Sequence, residues 1–478
     1  MNSQMSVIHH YVDKNVEKFN KDTIYFRDRH SILEQIVSYC KAFEVVEYVK
    51  FLGLEYEDDE SKTIDYNNVF IEETRAIEVK IKFEVNFKGE KEIIERIVYV
   101  PKLINNWHFK INGVNYFPIY QLIDKAIFAD PKYYSLKTLL MPMRFKHKKT
   151  FIKEYSNMEE PEKIHTEEFL LYLFKVAINY LYYFFAKFGY KDTLKFFGFG
   201  DEDDIVFHEY NEDEDYSEVS ETHKIFFLNN RKRKFMCLVN KNKFNNDTLY
   251  FIYSLIDIMS KHYNENKIND NKYWLKILGA IFTKSTNNQI DKANKVLFSL
   301  ERIMSEESKR LIDEIPEEDK QDTYTTLRWM IYTYNKNKYI DNMSLDSKRL
   351  QCYEYILYPL LKLFSNATTR IMNTRNLTLK TITGVFNIKK NFFIKRMIRN
   401  ELIRYKGSVN NFDLFNCALK ITFKNTRGSG EISDKYRGIH PSFIGCIDLI
   451  TSSASDPGMS GCISPFAKIS DNGIFETK

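Results

Sequence analysis

From Ile77 to Phe87 the chain reads IEVKIKFEVNF, and no other stretch narrows the choice of fold so much. Ile77, Val79, Ile81, Phe83, Val85 and Phe87 alternate without a break with Glu78, Lys80, Lys82, Glu84 and Asn86. Successive side chains of a strand point to opposite faces, so this pattern predicts a half-buried strand with one apolar face. KGEK follows with Gly89 in a turn, and EIIERIVYVP returns as a second strand that stops at Pro101. WHFKINGVNYF then sets Asn112-Gly113 between two apolar runs, a hairpin signal because both residues tolerate positive φ.

Beyond this region the pattern changes. Residues from 150 to 340 read as mostly helical. FLLYLFKVAINYLYYFFAKFGY, from Phe169 to Tyr190, reads as a buried core helix with Thr166 as its N-cap and Glu167 and Glu168 at its positive end. Lys175, Asn179 and Lys187 interrupt it, which argues against a membrane span. Asp346 to Met372 has helical spacing through Leu350, Ile356, Leu357, Leu360, Leu361 and Phe364, and Pro359 should kink or break it. The acidic runs Asp201 to Asp204 and Glu212 to Asp215 read as solvated loops, because consecutive acids cannot converge on one ion. Arg231 to Lys234 reads as an exposed basic face.

At 478 residues, with 38 Phe and 32 Tyr, the chain has material for about two to four packed domains. A net charge of +5 is too mild to argue nucleic-acid binding by itself. Six scattered cysteines (Cys40, Cys237, Cys352, Cys417, Cys446, Cys462) form no C-x-x-C pair, which disfavours a zinc ribbon and fits reduced, mostly buried thiols. The N-terminus MNSQMSVIHHYVDKN lacks the apolar core of a signal peptide. Phosphate-loop, nucleophile-elbow and H-E-x-x-H motifs are all missing, so no self-contained catalytic site is expected.

The end of the sequence has a different texture. LKITFKNTRGSGEISDKYRGIHPS, Leu419 to Ser442, sets Lys420, Lys424, Arg427, Lys435 and Arg437 against only Glu431 and Asp434, around Gly428-Ser429-Gly430. Cations beside glycines can grip phosphate closely, a hint of polyanion contact. YRGIHPSFIGCI resembles the R-x-[VI]-H-P-[ST]-x-x-G-x-[IV] segment of the β subunit of multisubunit RNA polymerases, with Arg437, Ile439, His440, Pro441, Ser442, Gly445 and Ile447 in order and spacing. RIVYVPKLINNWHFKINGVNYFPIYQLI is similar to a second β pattern through Tyr99, Pro101, Phe109, Ile111, Asn112, Gly113, Gln121 and Leu122. FFAKFGYKDTLKFFGF resembles a helix of the β lobe, and the stretch from Asp341 to Met372, with Arg349, resembles the return into the protrusion. One departure is plain. The family's glutamate-containing run after the glycine is replaced by CIDLITSSASDPG, so the roles of those residues are not carried over, and Ser452 to Gly461 looks like an insertion.

The resemblance implies an α+β multidomain chain of mixed helices and antiparallel strands with the RNA polymerase β-type protrusion, lobe and fork. It would be the N-terminal half of a split β subunit of a large bacteriophage. Residues 1–148 would begin the protrusion, 149–340 form the lobe, 341–405 complete the protrusion and 406–478 form the fork. Such a subunit walls one side of the DNA and RNA cleft in transcription. Its own catalytic residues are none, its cofactors none, and magnesium sits on aspartates of a β′-like chain. Expected partners are the C-terminal half of β, β′-like chains, a promoter-specificity subunit, the DNA template and the RNA transcript, with no membrane. The expected location is the bacterial host cytoplasm or the virion. Lys420, Lys424, Arg427, Arg437, His440 and Ser442 are the residues expected nearest nucleic acid or the active centre. Two other readings stand beside this one. The first is a stand-alone structural or nucleic-acid-binding phage protein. The second is an independent nucleotidyltransferase, which lacks the necessary carboxylate cluster.

Overall fold

The computed structural model describes residues 32–57, 74–104, 108–129, 133–139, 141–155, 162–211, 216–230, 233–310, 312, 314–338, 340–341, 343–352, 354–374, 377–406, 417, 419–423, 438–451 and 460–476. The chain forms two compact units: Met1–Lys125 with Asp341–Lys478, and Ala126–Ile340, which interrupts the first in sequence.

The first unit opens with the helix Ile32–Ala42 and the strands β1 (Val49–Glu57), β2 (Ala76–Phe87) and β3 (Glu90–Pro101), joined as an antiparallel sheet in that order. The alternation read from the sequence is realised in β2: Val79, Ile81, Phe83, Val85 and Phe87 are buried. Lys88 and Gly89 both take positive φ (54° and 88°), so a two-residue turn sets the register from Phe87↔Glu90 to Ala76↔Pro101. The apolar face packs on aromatics, with Phe43 stacked on Phe364 at 4.6 Å and Phe83 against Phe386 at 4.9 Å. Next come β4 (Leu103–Ile104), β5 (His108–Ile111), β6 (Val114–Pro118) and β7 (Tyr120–Asp124). The Asn112-Gly113 hairpin forms between β5 and β6, with φ of 51° and 76°.

The second unit contains β8 (Ile127–Ala129), β9 (Tyr133–Leu136), β10 (Met143–Glu154), β11 (Glu162–Leu173), β12 (Val176–Asn179), β13 (Ile205–Glu209), β14 (His223–Asn230) and β15 (Arg233–Asn240) in one sheet. The order is β12-β11-β10-β14-β15-β13, with β9 on β10 and β8 on β9. Here the sequence reading needs correction. Helices dominate only from Leu249 onward, in Leu249–His262, Asn271–Phe282, Gln289–Glu301 and Thr323–Asn337. A division at 148/149 falls inside β10, whereas the compact unit starts at Ala126. The apolar run from Phe169 is strand to Leu173 and again from Val176 to Asn179, with a helix only at Leu181–Phe188. Thr166 is no N-cap: it lies within β11 and its hydroxyl bonds that of Thr150 at 2.8 Å. A run apolar on every position carries neither period, and pairing with β10 from Arg144↔Tyr172 to Glu154↔Glu162 decides it. Asp201, Glu202 and Asp203 are exposed, but Asp204 is buried and accepts from Lys243 Nζ at 2.9 Å. Glu212 to Asp215, Arg231 and Lys232 lie outside the described residues; Arg233 and Lys234 open β15.

The chain then re-enters the first unit through β16 (Lys348–Gln351), the helices Glu354–Asn373, Leu379–Gly384 and Phe392–Ile398, and β17 (Ile403–Lys406) on β6. Leu350 is therefore a strand residue, and the helix begins later than its spacing suggested. Pro359 does not interrupt that helix. It removes one backbone donor near the start, and burial of Tyr355, Ile356, Leu357, Leu360 and Phe364 outweighs that loss. No described helix is long and apolar enough to cross a membrane.

One buried charge group in the second unit has a measurable consequence. Glu168 on β11 has no exposed side-chain surface; Lys148 of β10 binds Oε1, Oε2 is buried without a hydrogen-bond partner among the described residues, and Asp257 of the helix Leu249–His262 lies 3.8 Å from Lys148. Burial first, and then the Asp257 charge, push the Glu168 carboxyl up to about 6 despite Lys148. The folded chain thus holds a proton that the unfolded chain releases near its ordinary value, 4.5. Stability from this group is complete below that value and is lost as pH rises through about 6. Chemical denaturation should show Glu168→Gln lacking this decline, a difference from the parent on the order of 1 kcal/mol. Identical pH profiles for the two proteins would refute the assignment.

Candidate functional site

The stretch that carried the basic and glycine-rich signals is woven into the first unit through β18 (Lys420–Thr422), β19 (Ile447–Asp448) and β20 (Ser460–Ile463). The sheet runs β16-β7-β18-β20-β19. β18 is parallel to β7, pairing Ile421 with Tyr120 and Thr422 with Gln121, and antiparallel to β20. Ile421, Ile447 and Ile463 enter one core with Tyr120, Leu122 and Leu350. Leu350 N–H donates to Gly473 O at 2.6 Å, which ties the last residues onto β16. Gln121 and Gln351 face each other across β7 and β16 with no exposed surface. The Gln351 amide donates to Gln121 Oε1, and the Tyr358 hydroxyl donates to Gln351 Oε1. A buried amide is tolerated only when it is bonded in this way.

His440 to Gly445 form a compact turn. His440 caps the short 3-10 helix Pro441–Phe443, its Nδ1 accepting from Ser442 N–H at 3.2 Å and lying 2.8 Å from Ser442 Oγ. With Nδ1 an acceptor, Nε2 carries the hydrogen of the neutral ring, and it points at Asp341 Oδ2 at 3.2 Å. Ser442 Oγ in turn accepts from Leu345 N–H at 2.9 Å. Phe443 is buried and stacks on Phe423 at 5.1 Å. Gly445 takes φ of 82°, where a side chain would be strained, and the chain then enters β19. Pro441 meanwhile fits the first position of the helical turn, where no N–H is needed.

Of the residues chosen from sequence, the structure therefore joins His440 and Ser442 in one turn, with their polar atoms bonded inside the unit. Lys420 is half-buried at the end of β18 opposite Cys462. Lys424, Arg427 and Arg437, like Gly428-Ser429-Gly430, lie outside the described residues; so do Ser452 to Met459 of the insertion, whose last two residues, Ser460 and Gly461, begin β20. Sequence reasoning missed Asp341 and Leu345 as partners of the turn, because about a hundred intervening residues hide the contact. It also missed the exposed apolar group next to this turn. Ile444, Ile450 and Phe466 are 73%, 93% and 66% exposed; Ile444, Leu449 and Ile450 lie within three residues of β19, at the edge of the sheet among the described residues, and Phe466 just after β20. Burial raises the thiols of Cys446 and Cys462 above their ordinary range, so neither is a poised nucleophile. Among the described residues no group of His, Cys, Asp or Glu is placed to hold a metal ion.

The turn has a stability signature. His440→Ala removes the cap and the Asp341 contact together and should cost about 1–2 kcal/mol in urea unfolding. Asp341→Asn should cost under about 1 kcal/mol, because Asp341 is half in solvent. Equal stability of the His440→Ala chain and its parent would show that the turn does not hold this region.

Comparison with known proteins supports the coarser part of the sequence reading, a polymerase subunit. A family model described as non-virion RNA polymerase subunit matches residues 4–477. Among curated proteins none matches the chain. With the match running along almost its whole length, the chain belongs to the family of non-virion RNA polymerase subunits.

Proposed function

We propose that this polymerase subunit is the N-terminal part of a split β-type chain of a bacteriophage DNA-dependent RNA polymerase. The unit Met1–Lys125 with Asp341–Lys478 would hold the protrusion and, from 406 on, the fork, and Ala126–Ile340 the lobe, together walling one side of the DNA and RNA cleft. The observation that carries this reading is the turn at His440. The residues that match the β pattern, His440, Pro441, Ser442 and Gly445, each have a physical task in it, and the turn is bonded to Asp341 and Leu345 in the stretch that resembles the return into the protrusion. Arg437 precedes this turn by three residues in the sequence. Lys420, Lys424, Arg427 and Arg437 then supply positive charge for phosphates, without reading bases. His440 and Ser442 act by holding the turn. Nucleotide addition belongs to the assembled enzyme, with magnesium on the aspartates of a β′-like partner, and the chain works in the host cytoplasm.

The partner that completes β has a candidate surface. Among the described residues β19 is a two-residue strand at the edge of its sheet; exposed Ile444, Leu449 and Ile450 lie within three residues of it in sequence, and exposed Phe466 lies just after its partner β20. Apolar side chains beside an open strand edge are a liability unless another chain covers them.

Two measurements test this reading. Co-expressed with the other subunits, the tagged chain should recover a complete polymerase, and Ile450→Asp with Phe466→Asp should reduce that recovery at least tenfold. The double variant Arg427→Ala/Arg437→Ala should assemble normally but elongate several-fold more slowly, and more so as salt rises. Unchanged elongation would remove the fork assignment, and recovery of no other polymerase chain would remove the β assignment.

A further inference from the structure

The antiparallel ribbon β10–β11 in the second unit carries a surface that the reading above does not use. Its register pairs Lys148 with Glu168, Lys149 with Glu167, Phe151 with His165 and Lys153 with Lys163. Residues two apart on a strand share a face, so Lys149, Phe151, Lys153, Lys163, His165 and Glu167 lie on one side of the ribbon, Glu167 opposite Lys149 and away from the Lys153–Lys163 rung. On the other side of the same rungs Ile152 and Thr166 are buried. The open side is therefore the solvent face of a strand pair whose back is anchored.

Two features of this face work against stability. Phe151 is 65% exposed and leans on the His165 ring, with centroids 4.3 Å apart at 55°. Lys153 and Lys163 stand directly opposite each other, and like charges so placed destabilise a sheet. The neighbouring rungs at Lys148↔Glu168 and Lys149↔Glu167 set opposite charges against each other, so the ribbon departs from that pattern here. Glu154 and Glu162 also oppose each other, but on the other face, and Glu154 binds Lys224 at 3.2 Å. No ion pair to Lys153 or Lys163 is formed among the described residues. A stacking pair of rings beside two lysines with no ion pair among the described residues matches the two needs of a flexible polynucleotide, a surface for bases and charge for phosphates.

We propose that this face of β10–β11 binds a single-stranded polynucleotide, a base stacking on Phe151 and His165 while Lys153 and Lys163 take the adjoining phosphates. The contact is independent of base sequence, since every base presents a flat π face. It is also independent of whether the chain is β-like.

The test uses the purified full chain and fluorescently labelled oligo(dT) and oligo(U) of about 20 nucleotides, with a duplex of equal length as control. Anisotropy titration should show single strands bound more tightly than duplex, and binding of either strand supports the proposal. Phe151→Ala should weaken that binding about tenfold. Lys153→Gln with Lys163→Gln should flatten the log–log salt dependence by about 1.4, the share of two phosphates on a single strand. Lys163→Glu serves as the folding control. It replaces a repulsive rung with an attractive one, so it should melt no lower than the parent while binding about tenfold more weakly. Parent-like binding in all three variants, equal affinity for duplex, or no binding of either strand at low salt would overturn the proposal.

Discussion

The arrangement around the candidate site depends on one parallel contact, β18 lying beside β7. A parallel pair cannot be closed by a tight turn, and here the whole of the second unit lies between the two strands in sequence. Once β18 is in place, β20 and β19 add to its free side, and the core of Ile421, Ile447, Ile463, Tyr120, Leu122 and Leu350 closes. The buried Gln121–Gln351 pair holds the other side of β7. Slipping that pairing by one residue would turn these amides to the opposite face and leave buried polar groups unbonded, so the polar pair fixes register where apolar packing alone would tolerate a slip.

The turn at His440 shows how the polar groups of a short motif can all be taken up by structure. Its imidazole spends one nitrogen on the Ser442 backbone and the other on Asp341, and Ser442 passes the connection to Leu345. None of these groups has to touch a ligand to matter. By bonding to one another and to Asp341 and Leu345 they hold the turn itself. A motif residue that resembles a site residue can therefore act as the scaffold of a neighbour.

Electrostatics divide the chain in a comparable way. Within the second unit, Lys148 and Glu168 pair across rungs of the ribbon where it meets the helix Leu249–His262, and the arrangement favours a protonated carboxyl. A few rungs further along the same ribbon the charges stop matching and an aromatic ring stands in solvent. One pair of strands thus has an end where opposite charges face each other and an end where like charges do, and only the register distinguishes them.

Much of the first sheet was legible in the sequence. Strict alternation from Ile77 to Phe87, Gly89 in its turn and Asn112-Gly113 are local signals, and the strands and hairpins followed because period and turn chemistry act over neighbouring residues. The motif around His440 was legible as well, as a pattern. What it does was not, because Asp341 and Leu345 are remote in sequence and only folding brings them to the turn. The run from Phe169 to Tyr190 was misread for a related reason. It is apolar on every position, so either period fits, and its state is decided by the partner strand β10. Pro359 likewise carries a strong local preference that burial of its helix overrides. The sequence by itself determined where one face is apolar and where the backbone must turn. Tertiary structure decided which strands meet, which charges are matched and which are left open, because those depend on contacts between residues far apart in the chain.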